Sequence, residues 1–236
     1  MSHQQVVTVI DWLMYFMQAS IFVPMAVVWR RQRHFPPPVK LLSWYVYLSV
    51  VSVAASRLYP TYLPNNYGGI IGFNLGKMLL LGAVYYQVLP PGRMRQVVPW
   101  LTGACLAGVV LVLVISYDDL RMAVSVSRVT QCALLAALAL AYLEHALNQE
   151  IRRPFFRDPL WLLSVGQLFY SAGTITAFSF DYLSNTRYDV SVKSIFVPFS
   201  SLIFNYFLTL AFLRAARSPA PVLEAGAMPV GTLVRP

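Results

Sequence analysis

Seven apolar runs, each long enough to cross a bilayer as a helix, divide the chain: Val6–Trp29, Val39–Leu58, Gly69–Leu89, Val97–Tyr117, Leu120–Leu147, Leu160–Tyr182 and Ser194–Ala215. Runs this long and this numerous exceed what a soluble core can bury. Within a bilayer only a structure that satisfies its own backbone hydrogen bonds survives. The pattern therefore predicts an all-α polytopic membrane protein, with a seven-transmembrane-helix bundle over residues 1–217. The last stretch, SPAPVLEAGAMPVGTLVRP (218–236), is rich in Pro, Ala and Gly and has no amphipathic period, so it is expected to be a disordered cytoplasmic tail.

Composition agrees with this division. Of the 236 residues 58% are hydrophobic and only 11% charged, where soluble domains carry about 25% charged residues; the mean hydropathy is +0.59. The formal charge of +9 does not point to nucleic acid, because Lys and Arg gather between the apolar runs rather than along one amphipathic face. They concentrate in the first, third and fifth connections (RRQRHFPPPVK, PPGRMRQ, NQEIRRPFFRDP) and beside the last run (Arg214, Arg217). By the positive-inside rule those segments are cytoplasmic, which predicts an N-out/C-in arrangement. MSHQQVVTVI lacks a basic n-region, and Arg30, Arg31 and Arg33 follow the first run, so that run reads as a retained helix. Cys105 and Cys132 both fall inside apolar segments and show neither disulfide nor metal spacing.

The informative residues are the polar ones that interrupt the runs. Lys77 would lie roughly 12 Å below the surface of a hydrocarbon core about 30 Å thick, where an ammonium costs about 2.5–3.5 kcal/mol. It should therefore face the bundle, and Asn74, three residues earlier, shares its face. Arg128 in the fifth run comes to a matching depth, with Gln131 continuing its stripe. The sixth run spaces Ser164, Gln167, Ser171, Thr174 and Asp181 along one helix face, and the seventh carries Asn205 near its middle. With Asp11 and Arg57 these residues form a polar set in the outer half of the bundle. Lys77, Arg128, Asn74, Gln131, Gln167, Ser171, Asp11, Asp181 and Asn205 are the candidate ligand-binding residues, either lining a water-filled cavity with spare positive charge or closing the bundle as structural ion pairs.

Other features read as packing. Pro24 predicts a kink in the first helix. Ser49, Ser52 and Ser56 with Ala55 have small-residue spacing, Gly72-x-x-x-Gly76 and Ala104-x-x-x-Gly108 would let helices approach closely, and the fourth run is expected to face lipid.

Known intramembrane chemistries find no footing. A retinal Schiff base needs a Lys in the middle of the last helix, where Asn205 stands instead. Zinc hydrolysis needs several ligands at one depth, and the only histidines are His3, His34 and His145. No base accompanies a serine inside the runs. No metal or cofactor is expected, and a non-enzymatic role is favoured over catalysis. The leading expectation is an outward-facing polar pocket for a small or lipid-like, anionic ligand, with a sensor- or receptor-like role. Because no signalling domain is evident, such a role calls for a separate cytoplasmic or membrane partner. Two alternatives stand beside it: a transporter or channel for a small anion, and a structural membrane assembly factor.

At NNYGGIIGFNLGKMLLLGAVYY, RRPFFRDPLWLLSVGQLFYSAGTITAFSFDYL and SLIFNYFLTLAFLRAA the chain resembles an uncharacterised group of small seven-helix bacterial inner-membrane proteins. The resemblance implies a seven-helix fold and a multi-pass location in the bacterial cytoplasmic membrane. It implies no activity and no site residue.

Overall fold

The computed structural model describes residues 3–62, 67–117, 120–148, 158–183 and 193–216, with the side chains at 3, 4, 6, 7, 57–62, 181–183 and 193 excepted. Among these the regular elements are all helical: α1 (His3–Ser20), α2 (Phe22–Arg31), a 3-10 turn (Gln32–His34), α3 (Pro37–Tyr62), α4 (Tyr67–Val88), α5 (Arg93–Ile115), α6 (Leu120–Asn148), α7 (Pro159–Leu183) and α8 (Lys193–Ala215). The predicted tail at 218–236 lies outside the described residues.

Local chemistry sets several boundaries. α1 and α2 are the two halves of the first apolar run, and the break falls at Ile21 rather than at Pro24. A proline has no N–H to bond the carbonyl four residues back, so its effect appears one turn upstream; Ser20 Oγ donates to the Met17 carbonyl there at 2.7 Å. α3 opens with Pro37, suited to a first helical position because its missing N–H has no partner there anyway. α7 opens after Asp158, whose Oδ1 accepts the Leu160 N–H at 3.0 Å as a side-chain N-cap. The Tyr142 hydroxyl on α6 hydrogen-bonds the other carboxylate oxygen of Asp158, tying α6 to the start of α7.

Six helical stretches are long and apolar enough to cross a membrane: Thr8–His34, Pro37–Ser56, Tyr67–Val88, Arg93–Ile115, Leu120–Asn148 and Ser194–Ala215. On that basis the chain is a multi-pass membrane protein. α7, at 25 residues, is as long, but its polar stripe lowers its apolar content. Ser164, Gln167, Ser171 and Thr174 are all buried among the neighbouring helices.

α7 packs most extensively on α8, and α6, α4 and α3 follow in a chain of neighbours, while α1 lies along α8. Glycine permits the closest of these approaches. A Cβ at Gly166 would stand 2.6 Å from Phe207 Cβ, and one at Gly173 would stand 2.8 Å from Ser200 Cβ. Gly76 accepts the Leu48 side chain in the same way, but Gly72 has open space beside it, so only half of the predicted Gly72/Gly76 motif is used. The Ala104/Gly108 face is also corrected: Gly108 has no neighbour within 4 Å of its missing side chain. α5 instead buries Val98, Thr102 and Val109 and leaves Trp100, Leu111, Val114 and Ile115 exposed. Its surface is mostly exposed and apolar.

Candidate functional site

Lys77 is 1% exposed, and its ammonium is enclosed by aromatic rings from three other helices. Nζ lies 3.7 Å from the centre of the Tyr170 ring on α7, 4.6 Å from that of Phe204 on α8 and 5.4 Å from that of Tyr45 on α3. The rings also touch one another, Phe204 standing 5.7 Å from both Tyr45 and Tyr170. A cation over an aromatic face gains about 0.5–2 kcal/mol per contact. Three such contacts are comparable to the insertion cost of an ammonium, about 2.5–3.5 kcal/mol. The cage therefore makes Lys77 tolerable without a carboxylate partner.

Among the described residues Arg128 is less well compensated. Its guanidinium has one ring nearby, Phe178 at 5.7 Å, and its Nε is sealed from solvent with no hydrogen-bond partner. Among the described residues, neither Lys77 nor Arg128 forms an ion pair, and the two are electrostatic neighbours of each other. Among the described residues, the less compensated of the two cations is thus Arg128.

Both cations line one cavity of about 580 Å³ between α1, α3, α4, α7 and α8, with Arg128 reaching it from α6. Its polar lining includes Asp11, Gln18, Ser52, Ser56, Ser201 and Asn205, and its walls carry Met14, Met17, Ile70 and Phe73. It begins where α3 ends and α4 and α8 begin, at Ser56, Ile70 and Ser194, and reaches Tyr45, Lys77 and Asn205 about two to three helical turns further in. Asp11 and Met14 line it while remaining exposed.

The candidate residues fall into two groups. Lys77, Arg128, Asp11 and Asn205 meet at the cavity, and Asn205 Nδ2 also donates to Ser20 Oγ at 2.7 Å, tethering α1 to α8. The remaining described candidates do not line it. Asn74 Nδ2 donates to Ser127 Oγ at 3.0 Å between α4 and α6, Gln167 Nε2 donates to Ser171 Oγ at 2.9 Å within α7, and the amide of Gln131 is sealed without a partner. These buried amides and hydroxyls lie among packed helices rather than on a continuous polar pocket. The side chains of Asp181 and Arg57 lie outside the described residues.

The cage itself has no counterpart among the sequence-based expectations, because Tyr45, Tyr170 and Phe204 belong to three different runs and share no motif. Residue spacing assigned Ser52 and Ser56 to helix packing, whereas both line the cavity. A usable signal was present: an intramembrane Lys with no acidic residue on its own helix needs another source of negative potential, and ring faces supply it. Among the described residues no cluster of three His, Cys, Asp or Glu could hold a metal ion. No family model matches the chain, and no curated protein or solved structure is significantly similar to it.

Proposed function

We propose that the chain crosses the bacterial cytoplasmic membrane seven times, N-out and C-in, and binds a small or lipid-like anion in an outward-facing cavity as a receptor-like protein without enzymatic activity. The observation that carries the reading is the shared cavity: Lys77 and Arg128 line the same space, and no carboxylate among the described residues neutralises either one. A cavity of about 580 Å³ lies within the usual range for one small-molecule ligand. α7 supplies the seventh crossing, because its polar stripe faces its neighbours rather than lipid. Output would pass through the basic cytoplasmic connections to a separate signalling partner.

Thermal unfolding of the protein in nanodiscs, with a panel of carboxylates and phosphates of increasing chain length, tests this reading. Stabilisation by at least one of these anions, lost in Arg128→Gln and reduced in Lys77→Met, is expected. Stabilisation that persists unchanged in both variants, or none by any anion, overturns it. Anion flux into proteoliposomes that depends on the same residues would assign the site to transport instead.

A further inference from the structure

The walls of the cavity identify a narrower ligand class than its cations do, and the argument rests on the anion-binding reading above. We infer that the cavity takes a single-chain anionic amphiphile, its headgroup at Arg128 and its chain running outward along the seam between α1 and α3. Charge sets the direction: Lys77 lies at the inner end among Tyr45, Tyr170 and Phe204, Arg128 lies further out, beside Phe178, and Asp11 lines the cavity from the outer part of α1. An anionic head is therefore attracted inward and repelled at the entrance.

The walls between these ends are suited to a hydrocarbon chain. Ile10, Met14 and Met17 from α1 face Val53 from α3 and Ile70 and Phe73 from α4, and methionine adapts its shape to flexible apolar partners. A small hydrophilic anion would leave this surface uncovered. From the level of Ser56 and Ser194 to that of Tyr45 and Asn205 the cavity extends about 16 Å along the helix axes, room for a headgroup at Arg128 and the first part of one chain that continues outward into the bilayer.

Access is lateral. α1 packs along α8 but makes no extensive contact with α3, although both contribute lining residues, and Met14 is at once a wall of the cavity and 39% exposed. In a bilayer that seam faces the outer leaflet, where an amphiphile already has its chain in the hydrocarbon. The Asn205–Ser20 hydrogen bond ties the inner end of α1 to α8.

The test uses diazirine-bearing palmitate and the matching fatty alcohol, photolysed with the full chain in nanodiscs, with labelled peptides mapped by mass spectrometry. Palmitate should label α1 and α3 at the cavity about tenfold more than the alcohol, the equivalent of one charge-assisted hydrogen bond. That labelling should fall by a similar factor in Arg128→Gln, while labelling of the exposed face of α5 stays constant as an internal control for folding. A second variant, Ser52→Trp, fills the chain path and leaves the cations in place; it should abolish seam labelling by palmitate yet keep stabilisation by a short carboxylate such as butyrate. Equal labelling by acid and alcohol, or seam labelling unaffected by both substitutions, overturns the inference. If butyrate stabilises through Arg128 while palmitate does not label the seam, the anion site stands and the amphiphile assignment falls. If neither carboxylate acts through Arg128, the amphiphile assignment falls, and if no phosphate stabilises the protein through Arg128 either, the anion site falls with it.

Discussion

The Lys77 ammonium lies 3.7 Å from the centre of the Tyr170 ring, joining α4 to α7 through a cation and a π face rather than through an ion pair. Phe204 and Tyr45 complete the enclosure from α8 and α3, so one side chain ties four helices together. A buried ion pair would need a second desolvated charge; the rings are already at home in an apolar interior.

A double-mutant cycle on this pair measures the tie. Tyr170→Leu should destabilise the protein by about 3 kcal/mol, mostly from lost packing. Lys77→Met removes a buried charge and should be neutral or stabilising by about 1–2 kcal/mol. The coupling should be about 1 kcal/mol, and Tyr170→Phe, which keeps the ring, should leave it largely intact. Reversible unfolding in mixed micelles provides the measurement, and additive effects would show that the contact contributes nothing.

The glycines separate by their surroundings. Gly166→Ala places a methyl 2.6 Å from Phe207 Cβ, too close without moving α7 from α8, and should cost about 1–3 kcal/mol. Gly72→Ala meets nothing within 4 Å and should stabilise by about 0.5–1 kcal/mol through helix propensity. Parallel unfolding of the two variants checks the contrast.

Asp158 has two tasks, capping α7 through Leu160 N–H and holding the Tyr142 hydroxyl. Tyr142→Phe removes one and should cost about 1 kcal/mol. Asp158→Ala removes both and should cost about 2 kcal/mol, whereas Asp158→Asn, still an N-cap, should recover much of the loss. Unfolding curves that rank Tyr142→Phe as the more severe change would contradict this assignment.

Cysteine labelling reports orientation and water access together. In a Cys105→Ala/Cys132→Ala background, Ser56→Cys at the cavity mouth should react with an impermeant maleimide on spheroplasts. Gly92→Cys, at the α4–α5 elbow, should react only after the membrane is permeabilised. Val110→Cys, on the exposed apolar face of α5, should remain unlabelled in either case.

Much of the helical layout was legible in the sequence, because apolar length is a strong signal: each predicted run coincides with observed helix to within about a turn. That Lys77 and Arg128 reach a common cavity was foreshadowed by helical rise, which converts sequence position into level, although Arg128 sits beside Phe178 and Lys77 beside Tyr170 on α7. What could not be read was rotation about each helix axis. Asn74 and Lys77 share a face, yet only Lys77 reaches the cavity, because Ser127 on α6 takes up the Asn74 amide. Ser52 and Ser56 look identical to packing serines until α1 is found to stand away from α3. Gly72 and Gly166 are indistinguishable as letters; only the presence of Phe207 beside the second gives it a role.

The buried stripe of α7 bears on how the protein is made. Gln167, Ser171 and Thr174 are buried in a helix that packs chiefly on α6 and α8, so in the proposed topology α7 is a poor candidate to enter the membrane by itself as it leaves the ribosome. It must wait beside α6 until α8 is synthesised, and a chain terminated before α8 would present an orphaned polar face to lipid. Premature stop variants in that region should therefore be cleared by quality-control proteolysis rather than accumulate as shorter membrane proteins.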